Sequence, residues 1–164
     1  MKIFKKVLGA GLVSIISILG VLLYKTNKKA KKDDDIKKRY ALYYDVLNQW
    51  LKSKNNNHKV EDYFKNNNYN SIAIYGMGEM GNRLFEDLKE SDIKVTYFID
   101  NNADSLYQGW GDLPVIGIDE ISEQETVDAI IVTPIYAFDQ IEEKLIDAGV
   151  TSDIISLEDI IYEF

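Results

Sequence analysis

Ser71-Ile-Ala-Ile-Tyr75-Gly76-Met77-Gly78-Glu79-Met80-Gly81 is the most informative stretch of this 164-residue chain. Ile72 to Tyr75 form a short apolar run of the kind buried inside a parallel sheet. The run leads directly into Gly-x-Gly-x-x-Gly, and Met80, Leu84, Phe85 and Leu88 then recur at helical spacing. A glycine triplet set between a strand and a helix has the context that lifts this motif above chance. Gly76 permits a tight turn, Gly78 leaves no Cβ in the way of a phosphate, and Gly81 lets the helix pack close to the strand. The free N–H groups and the dipole at the helix start then attract an anion.

Downstream the alternation continues. Lys94–Ile99 reads as a second strand and ends at Asp100, nineteen residues past Gly81. An acid at that tip accepts hydrogen bonds from ribose hydroxyls and repels a 2′-phosphate, which favours NAD over NADP. The other reading makes Asp100 an ordinary strand-end turn residue with Asn101 and Asn102. Pro114–Ile116 is expected as a third strand, Asp119–Ile121 as a helical turn and Asp128–Thr133 as a fourth strand closed by Pro134. Phe138, Ile141, Leu145 and Ile146 mark a helix ending at Gly149. Asp153–Ile155 and Leu157–Ile161 give a fifth strand and a final helix. The expected fold is therefore α/β, a small Rossmann-like parallel sheet of about five strands with helices on both faces. An amphipathic helix and one N-terminal transmembrane helix precede it. A ligand belongs at the C-terminal strand ends. The candidate contacts are Gly76, Met77, Gly78, Met80, Gly81, Asp100, Asn101, Thr133 and Pro134.

The segments IYGMGEMG, YFID and VDAIIVTP resemble the cofactor-binding half of glucose–fructose oxidoreductase-like dehydrogenases. They are also similar to the small nucleotide-sugar-binding domains of bacterial polysaccharide-biosynthesis proteins, including those of sugar acetyltransferases. The resemblance covers residues 71–150. It implies that Gly76, Gly78, Gly81, Asp100, Thr133 and Pro134 line a bound NAD or nucleoside-diphosphate sugar. The sequence departs from the dehydrogenases after Pro134, where neither a histidine nor Glu-Lys-Pro follows. Neither their substrate domain nor the acetyltransferases' left-handed helix is recognisable. The implied property is binding rather than a reaction.

The residues offer little chemistry of their own. Residues 71–164 contain no Tyr-x-x-x-Lys pair, whose lysine would lower the tyrosine pKa for proton transfer. No acid stands on the first strand where methyltransferases, as a family, carry one. Glu79 adds negative charge to the loop, and Arg83 is the nearest base. Three readings follow: a binding or regulatory module, a subunit of an NAD-dependent oxidoreductase or sugar-modifying enzyme whose catalytic residues lie on a partner, or a structural protein with a vestigial site.

The rest of the chain sets the setting. Without cysteine there are no disulfides and no thiolate chemistry. The single histidine, His58, lies in a polar stretch and reads as a loop residue, so no metal is expected. Residues 1–39 carry eleven Lys/Arg and three Asp, a balance of +8, which leaves −16 on the remainder. A domain that acidic repels a phosphate backbone, so nucleic acid is not an expected partner. Val7–Tyr24 runs eighteen residues without a charge. At ~1.5 Å per residue it reaches about 27 Å, enough for a bilayer core. Lys25, Lys28, Lys29, Lys31 and Lys32 follow as a stop-transfer cluster, so an uncleaved single-pass anchor is expected, with the C-terminal domain cytoplasmic. Asp33-Asp34-Asp35 is placed to cap a separate amphipathic helix bearing Ile36, Tyr40, Tyr43, Tyr44, Leu47, Trp50 and Leu51. That stripe needs an apolar partner: the domain itself, a second copy, or another membrane protein. The expected division is an anchor over residues 1–32, connecting helices over 33–70 and the nucleotide-binding domain over 71–164.

Overall fold

The computed structural model describes residues 2–105 and 113–163, without the side chains of residues 2–18 and 104. The chain divides into two compact units, Met1–Leu42 and Tyr43–Phe164. Helix α1 spans Lys2–Asn55. Two helices are expected here, yet one runs unbroken through Asp33–Asp35. The aspartates do not start a new helix, because Asp34 is paired one turn along with Lys38 Nζ at 2.7 Å, an i,i+4 arrangement that supports helix propagation. Among the described residues no helix is long and apolar enough to cross a membrane. Residues 7–18 of the expected anchor lie outside those whose side chains are described.

The second unit contains the sheet. After α2 (Val60–Asn66) come β1 (Ser71–Tyr75), α3 (Glu79–Leu88), β2 (Lys94–Ile99), β3 (Val115–Ile116), β4 (Ala129–Val132), α4 (Phe138–Asp147), β5 (Asp153–Ser156) and α5 (Leu157–Tyr162). All five strands are parallel, in the order β3-β2-β1-β4-β5. This matches the first five strands of a doubly wound 3-2-1-4-5-6 sheet, and the strand order reverses between β1 and β4. The apolar runs that identify β1 and β4 are buried because both strands are interior and covered on both faces.

Each face has its own packing. Ala73, Tyr75, Tyr97, Ile99, Ile130 and Val132 form one core with Ile141 and Leu145 of α4. On the other face Phe85 of α3 meets Phe98 of β2 edge to face, with ring centres 5.4 Å apart. The pairing of β1 with β2 slips once: Ile72 pairs with Val95, but Ala73 pairs with Tyr97. Thr96 is the extra residue of this bulge, and its hydroxyl is buried without a partner.

The last turns of α1 belong to this unit. Val46, Trp50 and Ser53, one face at i, i+4 and i+7, are buried, whereas Tyr44, Leu47 and Leu51 are exposed. The expected stripe is therefore split: Trp50 is its one buried member, and Val46 and Ser53 beside it complete the buried arc. Trp50 Nε1 donates to Asp87 Oδ2 at 3.0 Å, and Lys54 Nζ reaches the other oxygen of the same carboxylate. Asn57 and Asn68 stop α1 and α2 in the left-handed conformation, φ 61° and 60°. His58 N–H then closes on Ser53 O and Tyr69 N–H on Phe64 O, the six-residue loop of a helix C-terminus.

Candidate functional site

The glycine turn sits at the C-terminal end of β1, the central strand. Gly76 has φ +97°, a conformation glycine adopts without strain. Its N–H extends the ladder to Ile99 O at 2.7 Å. A Cβ on Gly76 would lie 2.8 Å from Thr133 Oγ1 and 2.9 Å from Pro134 Cδ. A Cβ on Gly81 would lie 2.0 Å from Gly76 O. Both positions are closed to any side chain by the fold itself. Gly78 differs: a Cβ there meets nothing within 4 Å. It is the N-cap of α3, has ordinary extended dihedrals, and no side chain caps the helix.

The carboxylate of Asp100 is held against this turn. Its Oδ2 accepts the Met77 N–H at 2.9 Å and its Oδ1 accepts the Asn102 N–H at 2.9 Å. A carboxylate has about four lone-pair sites, so roughly one on each oxygen remains for a ligand hydroxyl. Asn101 Oδ1 accepts the Tyr75 hydroxyl at 3.0 Å, while burial holds that phenol above its usual pKa. Thr133 is buried, and its hydroxyl shares one proton between Tyr75 O at 3.0 Å and Gly76 O at 3.1 Å. Pro134 turns the chain away from β4, with φ −73° and ψ 66° and Ile135 N–H closing on Thr133 O at 2.9 Å, an inverse γ-turn.

All nine expected contacts thus gather at the ends of β1, β2 and β4, in different capacities. Gly78 and Glu79, at the start of α3, are exposed. The Met80 side chain is buried in the core, so its contribution to a ligand is confined to its N–H. Thr133 turns inward to brace the glycine turn. Glu79 points to solvent and pairs loosely with Arg83 at 3.5 Å; Arg83 also bonds Glu86 at 2.7 Å. The bracing by Asp100 and Tyr75 could not be found in the sequence, because each contact crosses more than twenty residues without a local signal. Among the described residues no group of three or more His, Asp or Glu is placed to share a metal ion.

A parallel α/β domain with a glycine turn at its central strand end is the class that this geometry defines. The chain belongs to the C2185-like, N-terminal family, whose model matches residues 68–156, more than half of the chain. No curated protein and no solved structure matches it.

Proposed function

We propose that residues 71–164 form a Rossmann-type module that binds a nucleotide-type molecule, NAD or a nucleoside-diphosphate sugar. In this reading the N-terminal helix holds the module at a membrane, on the cytoplasmic side. The module serves binding or regulation in bacterial surface-polysaccharide or nucleotide-sugar metabolism; that setting rests on the resemblance of IYGMGEMG, YFID and VDAIIVTP. The reading is carried by one observation. Of the three loop glycines, two are required by packing, but Gly78 has open space where its side chain would be, at an uncapped helix start. Folding gives no reason for glycine there, whereas an approaching phosphate does.

The competing reading, a glycine turn kept without a ligand, is favoured by Asp100, whose two oxygens already serve the backbone. Calorimetry on the full-length chain with NAD, NADP and UDP-glucose separates the two. At least one of these should bind, and Gly78→Val should abolish the binding without unfolding the protein. Silence across all three, or unchanged affinity in the folded variant, overturns the proposal.

A further inference from the structure

The opposite end of the sheet carries a cavity with different chemistry. It encloses about 250 Å³ on the α4 face. Ser122, Gln124, Glu125 and Thr126, in the stretch before β4, form one wall; Gly149, Thr151 and Ser152, in the loop before β5, belong to the other. Both stretches run into strand N-termini, so the cavity lies away from the glycine turn. Ser152 Oγ donates to Val127 O at 2.6 Å and ties the two walls together.

Its floor follows from the register of the sheet. Ala73 pairs with Tyr97 on one side and with Ile130 on the other. Only a methyl group therefore separates the two larger side chains that line the cavity. The bulge at Thr96 is what brings Tyr97 to this face; in regular register it would stand beside Ile74, on the α3 face. Tyr97 is 3 % exposed. Among the described residues nothing hydrogen-bonds its hydroxyl, and burial alone pushes the phenol pKa up.

We propose that this cavity binds an uncharged, polyhydroxylated molecule of monosaccharide size, with the hydroxyl of Tyr97, which lines it, as the hydrogen-bonding anchor. The lining fixes the class. Its polar side chains carry hydroxyls, an amide and a carboxylate, set beside the apolar Ile121, Ile130, Ala148 and Val150, with no Lys, Arg or His among the described residues to hold an anion. Its single carboxylate, Glu125, is offset by Lys94 Nζ at 3.0 Å, so a cation gains little.

Saturation-transfer NMR on the full-length chain tests this with glucose, galactose, mannose and N-acetylglucosamine, and with glucuronate and glucosamine as charged comparators. At least one neutral sugar should bind saturably and more tightly than either charged one. Tyr97→Phe should weaken that binding about fivefold, the value of one neutral hydrogen bond, and leave the melting temperature unchanged or higher because no partner among the described residues is lost. Ser122→Trp, substituted on an exposed turn at the rim, should block it, and Gly78→Val should leave it intact. The proposal is overturned if no neutral sugar saturates by tens of millimolar, if a charged comparator binds best, if Tyr97→Phe changes nothing, or if Gly78→Val abolishes the binding.

Discussion

Asp100 Oδ2 accepts the backbone N–H of Met77 at 2.9 Å, so the tip of β2 holds the glycine turn that follows β1. One carboxylate thereby shapes the turn and, in the proposed reading, also meets the ligand's ribose. Asp100→Ala should destabilise the domain by about 1.5–3 kcal/mol, the range for hydrogen bonds to a charged acceptor. Urea denaturation measures it; a loss below about half a kcal/mol would show that the turn holds itself.

The same residue carries the choice between NAD and NADP, if the ligand is a dinucleotide. Two unit charges ~4 Å apart repel by about 1 kcal/mol in water and roughly 4 at an effective dielectric near 20. Asp100→Asn keeps one acceptor for the turn and removes the charge. It should narrow a preference for NAD, mainly by improving NADP. Competition binding reads the ratio, and an unchanged ratio removes Asp100 from the ligand site.

The three glycines should respond unequally. Gly81→Ala drives a methyl into Gly76 O, a backbone atom that cannot step aside, and should destabilise by about 1–3 kcal/mol or more. Gly78→Val finds free space and compatible dihedrals, so its melting temperature should stay close to that of the wild type. Thermal melts of the two variants side by side decide this. Equal losses would mean that the turn tolerates no side chain at either position.

Alkaline pH should expose Tyr69. Its hydroxyl donates to Asp153 Oδ2 at 2.6 Å. That bond, with some burial, pushes its pKa from 10.0 to about 12. The folded state favours the neutral phenol, so the stabilisation is fully present below pH 10 and is lost as pH rises toward about 12. Tyr63, Tyr75 and Tyr97 shift the same way, so Tyr69→Phe should flatten only part of the decline. Denaturation curves from about pH 9 to 12 for both proteins are the measurement. Parallel pH profiles would contradict the assignment.

Trp50 fastens the end of α1 within its unit. It is 4 % exposed and bonds Asp87. Trp50→Phe should cost about 1–2 kcal/mol through the lost hydrogen bond and ring area, and Trp50→Ala about 3–5. Chemical denaturation followed by circular dichroism distinguishes them. Equal costs would place the energy in the hydrogen bond rather than in the ring.

What could be read from the sequence was whatever is local. Ile72–Tyr75 and Ala129–Val132 announce strands through continuous apolar runs, and the glycines between β1 and α3 mark their own turn. The asparagines at 55–57 and 66–68 place two helix ends because left-handed caps favour that residue. What stayed hidden depends on distant partners. Lys94–Ile99 reads as a plain strand, and nothing in it marks Thr96 as the bulged residue, since register is a property of two strands. The apolar arc of α1 is wide enough for several faces, and only packing selects Val46 and Trp50 over Tyr44 and Leu47. Asp33–Asp35 looks like a helix start, but the helix runs through it, with Asp34 paired to Lys38 one turn on. The places of Asp100 and Thr133 at the strand ends are legible in the sequence, though their bracing of the turn is not.

Helix α3 begins at a residue with no side chain to cap it. A chain selected for robustness alone would have serine or aspartate there, where an oxygen could accept the N–H groups of the first turn. That replacement would raise the melting temperature slightly and, in the proposed reading, occupy the groups that an incoming anion needs. Thermal hardening and responsiveness therefore compete for the same few protons, and a Gly78→Ser variant recovered from a heat screen would be sturdier and deaf.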